Sequence, residues 1–115
     1  MTAAVYVPDT GDLIWTDFDP TKGREQTGRR PALVVSPAAF TENTGLAVVC
    51  PITSRVRPFP TSIVLPQGLP ITGEVLTSHI RSIDTQARPV RYAGAAVSAD
   101  VAHLVRAKLD TFITI

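Results

Sequence analysis

"EQTGRRPALVVSP", residues 25–37, passes from a charged, glycine-bearing segment straight into an apolar run, and that junction governs how the chain is read. "PALVVSP" at 31–37 is continuously apolar, the pattern of a central strand buried on both faces. "LAVVCPIT" at 46–53 has the same character. Between them "AAFTENTG" at 38–45 is expected as a turn, with Asn43 and Gly45 supplying tolerance of positive φ.

Working outward, "GDLIWTDF" at 11–18 reads as a first strand, with Leu13, Trp15 and Asp17 on one face and Ile14, Thr16 and Phe18 on the other. "TSIVLP" at 61–66 and "EVLTSHIRSID" at 74–84 give further strand material. Ten prolines and seven glycines cut the chain into short pieces, the rhythm of a β-rich domain. The last segment changes period: Val101, Leu104, Val105, Leu109, Phe112 and Ile113 recur at helical spacing, with Ser98 as N-cap and Asp100 in the first turn. The expected fold is mainly β with a C-terminal α-helix, a small antiparallel barrel or curled sheet instead of a βαβ arrangement.

The 115 residues suit one domain spanning 1–115, and an apolar fraction of 44% is enough to bury a core. A net charge of +1 does not announce a nucleic-acid binder, but residues 1–53 carry four basic against six acidic side chains while residues 54–115 carry seven against four. Local basic patches are therefore compatible with a near-neutral chain. Nine of the eleven basic residues are arginine, whose planar fork suits phosphate. Cys50, the only cysteine, excludes an intramolecular disulfide and reads as a buried small hydrophobe. The N-terminus lacks a basic region and a sufficient apolar stretch for a signal peptide, and no run approaches the roughly 18 apolar residues of a membrane span. A soluble cytoplasmic protein is expected. Two histidines without cysteine or carboxylate partners make no metal site, and no phosphate loop, dinucleotide fingerprint or nucleophile elbow is present.

The polar residues that stand out are few. Lys22, Arg24, Arg29 and Arg30 lie within nine residues together with Glu25 and Gln26, where Gly23 and Gly28 let backbone approach a ligand. A solvated loop of balanced charge is the ordinary reading of such a stretch. Arg30 departs from it, because Pro31 begins a buried strand and anchors the arginine stem, and an anchored guanidinium loses less freedom when it grips a phosphate. Thr53 ends its strand as threonines often do, yet its hydroxyl could serve a phosphate oxygen, with Arg55 and Arg57 just beyond. His79 would face away from Ile80 in a strand, either as a half-buried structural group or as a proton-transfer residue. His103 lies off the apolar stripe and reads as surface.

On these residues, "GDLIWTDFDPTKGREQTGRRPALVVSP" at 11–37, "CPIT" at 50–53, more loosely "GEVLTSHIRSID" at 73–84, and the closing helix, the chain resembles the MazF/PemK/Kid family of toxin endoribonucleases. The resemblance implies an SH3-like curled β-barrel of the kind shared by MazF, Kid and CcdB toxins, acting as a homodimer. It implies cleavage of single-stranded RNA, chiefly mRNA, with neither metal nor cofactor, by 2′-OH attack that yields a 2′,3′-cyclic phosphate and a 5′-OH. By the same resemblance the key arginine falls on Arg30, the key threonine on Thr53 and the acidic residue on Glu25, with Lys22, Arg24, Gln26, Arg29, Arg55, Arg57 and His79 toward the RNA. Glu25 or His79 assists the 2′-OH, or Glu25 orients Arg30. His79 stands where the family commonly has glutamine, and Ser78 where an acidic residue is usual. The partner implied is a MazE-like antitoxin whose acidic disordered tail folds into the toxin groove. The alternative on the same fold is a non-enzymatic poison of DNA gyrase.

Overall fold

Leu13 and Ile14 are neighbours in sequence and both are fully buried, on opposite faces of one sheet. That is what a central strand with apolar side chains on both faces requires. The computed structural model describes residues 5–18 and 29–115. Its elements are β1 (Asp12–Thr16), β2 (Arg30–Val34), α1 (Ala38–Thr44), β3 (Leu46–Thr53), β4 (Ser62–Val64), β5 (Glu74–Leu76), a 3₁₀ turn (Thr77–His79), β6 (Arg81–Asp84), β7 (Val90–Ala96) and α2 (Ala99–Asp110).

The strands pair antiparallel in the order β4-β5-β3-β2-β1-β7, and β6 also pairs with β3. One edge of β3 takes β2; the other takes β6 along Leu46–Val49 and β5 at Ile52 and Thr53. β4 and β7 end the path without pairing to each other among the described residues, so the expected barrel takes the form of an open curled sheet. Leu13, Leu33, Cys50, Ile52 and Val75 pack on one side against Val101, Val105 and Leu109 of α2. Ile14, Ala32, Val34, Ala47, Val49 and Ile83 form the second cluster, joined by Tyr6, Phe18 and Val90. Each leucine, isoleucine or valine so withdrawn from water contributes about 1.5–3 kcal/mol.

Several expectations are corrected. Residues 38–44 form a helix instead of a turn. Its first N–H, on Ala38, donates to Asp9 Oδ1 at 2.9 Å, and Gly45 closes it at φ 77° with its N–H on the Thr41 carbonyl. Asn43 is helical, its Nδ2 donating to the Ala39 carbonyl, so glycine alone supplies the left-handed residue. The strand expected over 74–84 breaks at Thr77–His79, where the buried Thr77 hydroxyl donates to the Thr61 carbonyl and ties the turn beside β4. β7 has no counterpart among the strands expected from the sequence. The apolar stripe of α2 is narrower than its spacing suggests: Val101, Val105 and Leu109 are buried, whereas Leu104, Phe112 and Ile113 are exposed. The Ser98 cap is present, accepting from Val101 N at 3.3 Å.

Candidate nucleic-acid interface

The β2–β3 ladder pairs Leu33 with Cys50 and Ala32 with Pro51. Carried two residues further, the same register sets Arg30 abreast of Thr53. Arg30 also pairs with Thr16 in β1, and Thr53 pairs with Glu74 in β5. One row therefore crosses four strands as Thr16, Arg30, Thr53, Glu74, and residues directly opposed in a sheet project from the same face. The ends of the row are buried and its middle is accessible, with Arg30 exposed and Thr53 half-buried.

This accessible middle opens into a groove of about 1130 Å³ whose walls include Arg29, Arg30, Thr53, His79 and Arg81, with Trp15 and Phe18 as aromatic surfaces. The described residues that line it include three arginines and no carboxylate. A smaller recess of about 400 Å³ shares Trp15 and Arg29 with it and adds Arg91 and Tyr92. Guanidinium groups beside aromatic faces suit a chain of phosphates with unstacked bases.

The backbone holds the centre closely. Thr53 Oγ1 accepts from Arg55 N at 3.1 Å, which fixes the oxygen and leaves its proton for donation to a ligand. Gly73 sits at φ +132°, and a Cβ there would lie 2.2 Å from the Thr53 carbonyl oxygen. Only glycine allows β5 to begin so close to the end of β3. The Arg81 guanidinium lies 5.3 Å from the Phe18 ring centroid, a cation–π distance that limits where its charge can sit.

The structure thus brings Arg29, Arg30, Thr53 and His79 to one groove. His79 stands on the 3₁₀ turn and not in a strand, so both it and Ile80 reach the groove instead of facing apart. Arg55 and Arg57 are exposed on the loop after β3, outside the groove walls. Lys22, Arg24, Glu25 and Gln26 lie outside the described residues. Sequence reasoning missed Arg81, Trp15, Phe18 and Arg91 as groove neighbours; for Arg81 the signal was its place one strand away from Val49, which only the register supplies. Cys50 is fully buried and desolvation pushes its thiol up to about 12, which excludes it as a nucleophile near neutral pH. No group of three or more His, Cys, Asp or Glu among the described residues could hold a metal ion.

The chain is thus a small protein of curled antiparallel sheet and one C-terminal helix, with a groove walled in part by Arg29, Arg30 and Arg81. Residues 9–113 match the family described as PemK-like, MazF-like toxin of type II toxin-antitoxin system. The chain belongs to that family. It is 42% identical over 108 residues to the endoribonuclease toxin MazF of Escherichia coli (strain K12), covering 94% of this chain and 96% of that protein. The crystal structure of MazF from Deinococcus radiodurans superposes with a TM-score of 0.85 at 46% identity, covering 96% of this chain and 100% of the other. In a MazE-MazF crystal structure from the same organism the matched chain gives 0.84 at 42% identity, covering 96% and 99%.

Proposed function

We propose that the protein is a sequence-specific endoribonuclease toxin that cuts single-stranded RNA by attack of a 2′-OH on the adjacent phosphorus. The observation that carries this reading is that Arg30 and Thr53, at the ends of adjacent strands, both line one arginine-walled groove. The 2′-oxygen forms a bond to phosphorus as the P–O5′ bond breaks, giving a 2′,3′-cyclic phosphate and a 5′-OH. Negative charge develops on the non-bridging oxygens, where the Arg30 guanidinium and the Thr53 hydroxyl donate. An internal nucleophile needs no protein serine or cysteine. A guanidinium holds its proton too tightly to act as base. The proton acceptor is therefore assigned to Glu25 or His79, while Arg30 hydrogen-bonds the charge developing at the phosphate and solvent protonates the leaving 5′-oxygen. Arg29, Arg55 and Arg57, together with Lys22, Arg24 and Gln26, bind the RNA.

The E. coli and D. radiodurans relatives are named as an endoribonuclease and as a partner of MazE. By extension this chain acts in the cytoplasm as a homodimer and is neutralised by a MazE-like antitoxin. Exposed Leu104, Phe112 and Ile113 on and after α2 are the kind of apolar surface a partner covers. No helix among the described residues is long and apolar enough to cross a membrane.

The test is incubation of purified protein with a long single-stranded RNA in EDTA, with mapping of the cut ends. Recurrent cuts at one short motif with 5′-OH termini support the reading. Intact RNA from well-folded protein overturns it and directs attention to a gyrase supercoiling assay.

A further inference from the structure

Glu74 is 2% exposed, a carboxylate in the same row as Arg30 and Thr53 but sealed from the groove. Burying a carboxylate is costly unless it is held by strong hydrogen bonds. Its Oε1 accepts the backbone N–H of Arg57 at 2.9 Å. Two residues earlier, Arg55 N donates to Thr53 Oγ1. At its far end the same loop is gripped by Lys108 Nζ on the Pro60 carbonyl at 2.8 Å.

We propose that Glu74 is a positioning residue: its buried carboxylate tethers the main chain of the loop after β3, so that Arg55 and Arg57 are presented beside the groove to the RNA phosphates. The inference rests on the ribonuclease reading for its ligand. The loop leaves β3 directly at Thr53, and without a tether it would have to be ordered at each encounter, a cost subtracted from affinity. The bond is made by the Arg57 backbone N–H, which leaves both arginine side chains free for phosphate. Glu74 does not touch substrate, so its loss acts on binding and not on the chemical step.

The experiment compares full-length wild type, Glu74→Met and Glu74→Gln. Met keeps the length in an apolar setting and cannot accept the bond, a replacement that buried ionic positions commonly tolerate; Gln keeps an acceptor. Binding is read with an oligoribonucleotide carrying a 2′-deoxy nucleotide at the scissile position, and exchange of the Arg57 amide is followed by NMR. In Glu74→Met the Arg57 amide is expected to exchange at least about tenfold faster. The Kd for the oligonucleotide rises about tenfold, and the slope of its salt dependence falls by about 0.7 for each phosphate that the loop ceases to neutralise. At saturating RNA, kcat stays within about twofold, and Glu74→Gln recovers most of the affinity. In an Arg57→Ala background the effect of Glu74→Met shrinks, because both act through the same arginine. A fast-exchanging Arg57 amide in the wild type, unchanged affinity and salt slope in Glu74→Met, or a fall in kcat alone overturns the proposal. A protected Arg57 amide in a protein that binds no RNA refutes the ribonuclease reading and leaves the tether standing.

Discussion

Arg30 and Thr53 lie at the ends of β2 and β3, each two residues beyond the Ala32–Pro51 pair that closes the ladder between the strands, and both line the groove. Neither position depends on a loop conformation, because β3 is paired along both of its edges. Replacing Arg30 by Ala is expected to lower kcat by about 10²–10³-fold, the usual cost of removing one donor to a developing oxyanion. Arg30 is exposed, so stability should change by no more than about 0.5 kcal/mol. Single-turnover cleavage beside a thermal melt checks both; a large drop in melting temperature would make Arg30 structural.

Thr53 has two duties, accepting from Arg55 N and presenting a hydroxyl proton. Thr53→Ser keeps both and should retain most activity. Thr53→Val keeps the shape and loses both, costing about 1 kcal/mol of stability together with a loss of kcat of at least tenfold. Combined with Arg30→Ala it should add little further loss, since the two donors serve the same phosphate. Kinetics of the four proteins on one defined RNA decide this.

Gly73→Ala meets two obstacles, a φ of +132° and a Cβ 2.2 Å from the Thr53 carbonyl oxygen. It should destabilise by more than about 2 kcal/mol and depress cleavage through displacement of Thr53. Gly68→Ala is the control: φ is +97° but nothing lies within 4 Å, so only the conformational cost of about 1–2 kcal/mol remains. Denaturant midpoints of the two variants should differ in that order.

Alkaline pH should weaken the fold. Burial raises the Cys50 thiol from 9.0 to about 12, and Tyr6, desolvated and donating to Asp12 Oδ2 at 2.5 Å, is raised as well. Between those limits the unfolded chain releases protons that the folded chain retains. The stability they provide is present below pH 9 and is lost as pH rises toward 12, at up to about 1.4 kcal/mol per pH unit for each group. Urea melts from pH 8 to 11 should show the decline, shallower in Cys50→Ala. In the folded wild type the thiol should resist alkylation at pH 8.

The two-faced burial of β2 and β3 was legible in "PALVVSP" and "LAVVCPIT", because both sheet faces are covered and short, valine-rich apolar runs bounded by proline or glycine suit a strand better than a helix. Arg30 and Thr53 were legible by resemblance, but their adjacency belongs to the register, which no local pattern prints. α1 was hidden because its start is stabilised by Asp9, 29 residues upstream, while threonine and asparagine are weak helix formers. β7 was hidden because its residues are half-buried at best and Gly94 interrupts the pattern at φ 98°. Glu74 lay unmarked in the strand material at 74–84; its bond to the Arg57 N–H joins residues 17 apart, which no local pattern shows.

The tethers on the chain after Thr53 all grip main-chain groups, the N–H of Arg55, the N–H of Arg57 and the carbonyl of Pro60. Any residue except proline at 55 or 57 preserves them. The segment is thus a graftable frame: a library varied at those two sites, screened on RNA pools, could shift cleavage preference while the strands carrying Arg30 and Thr53 remain as they are.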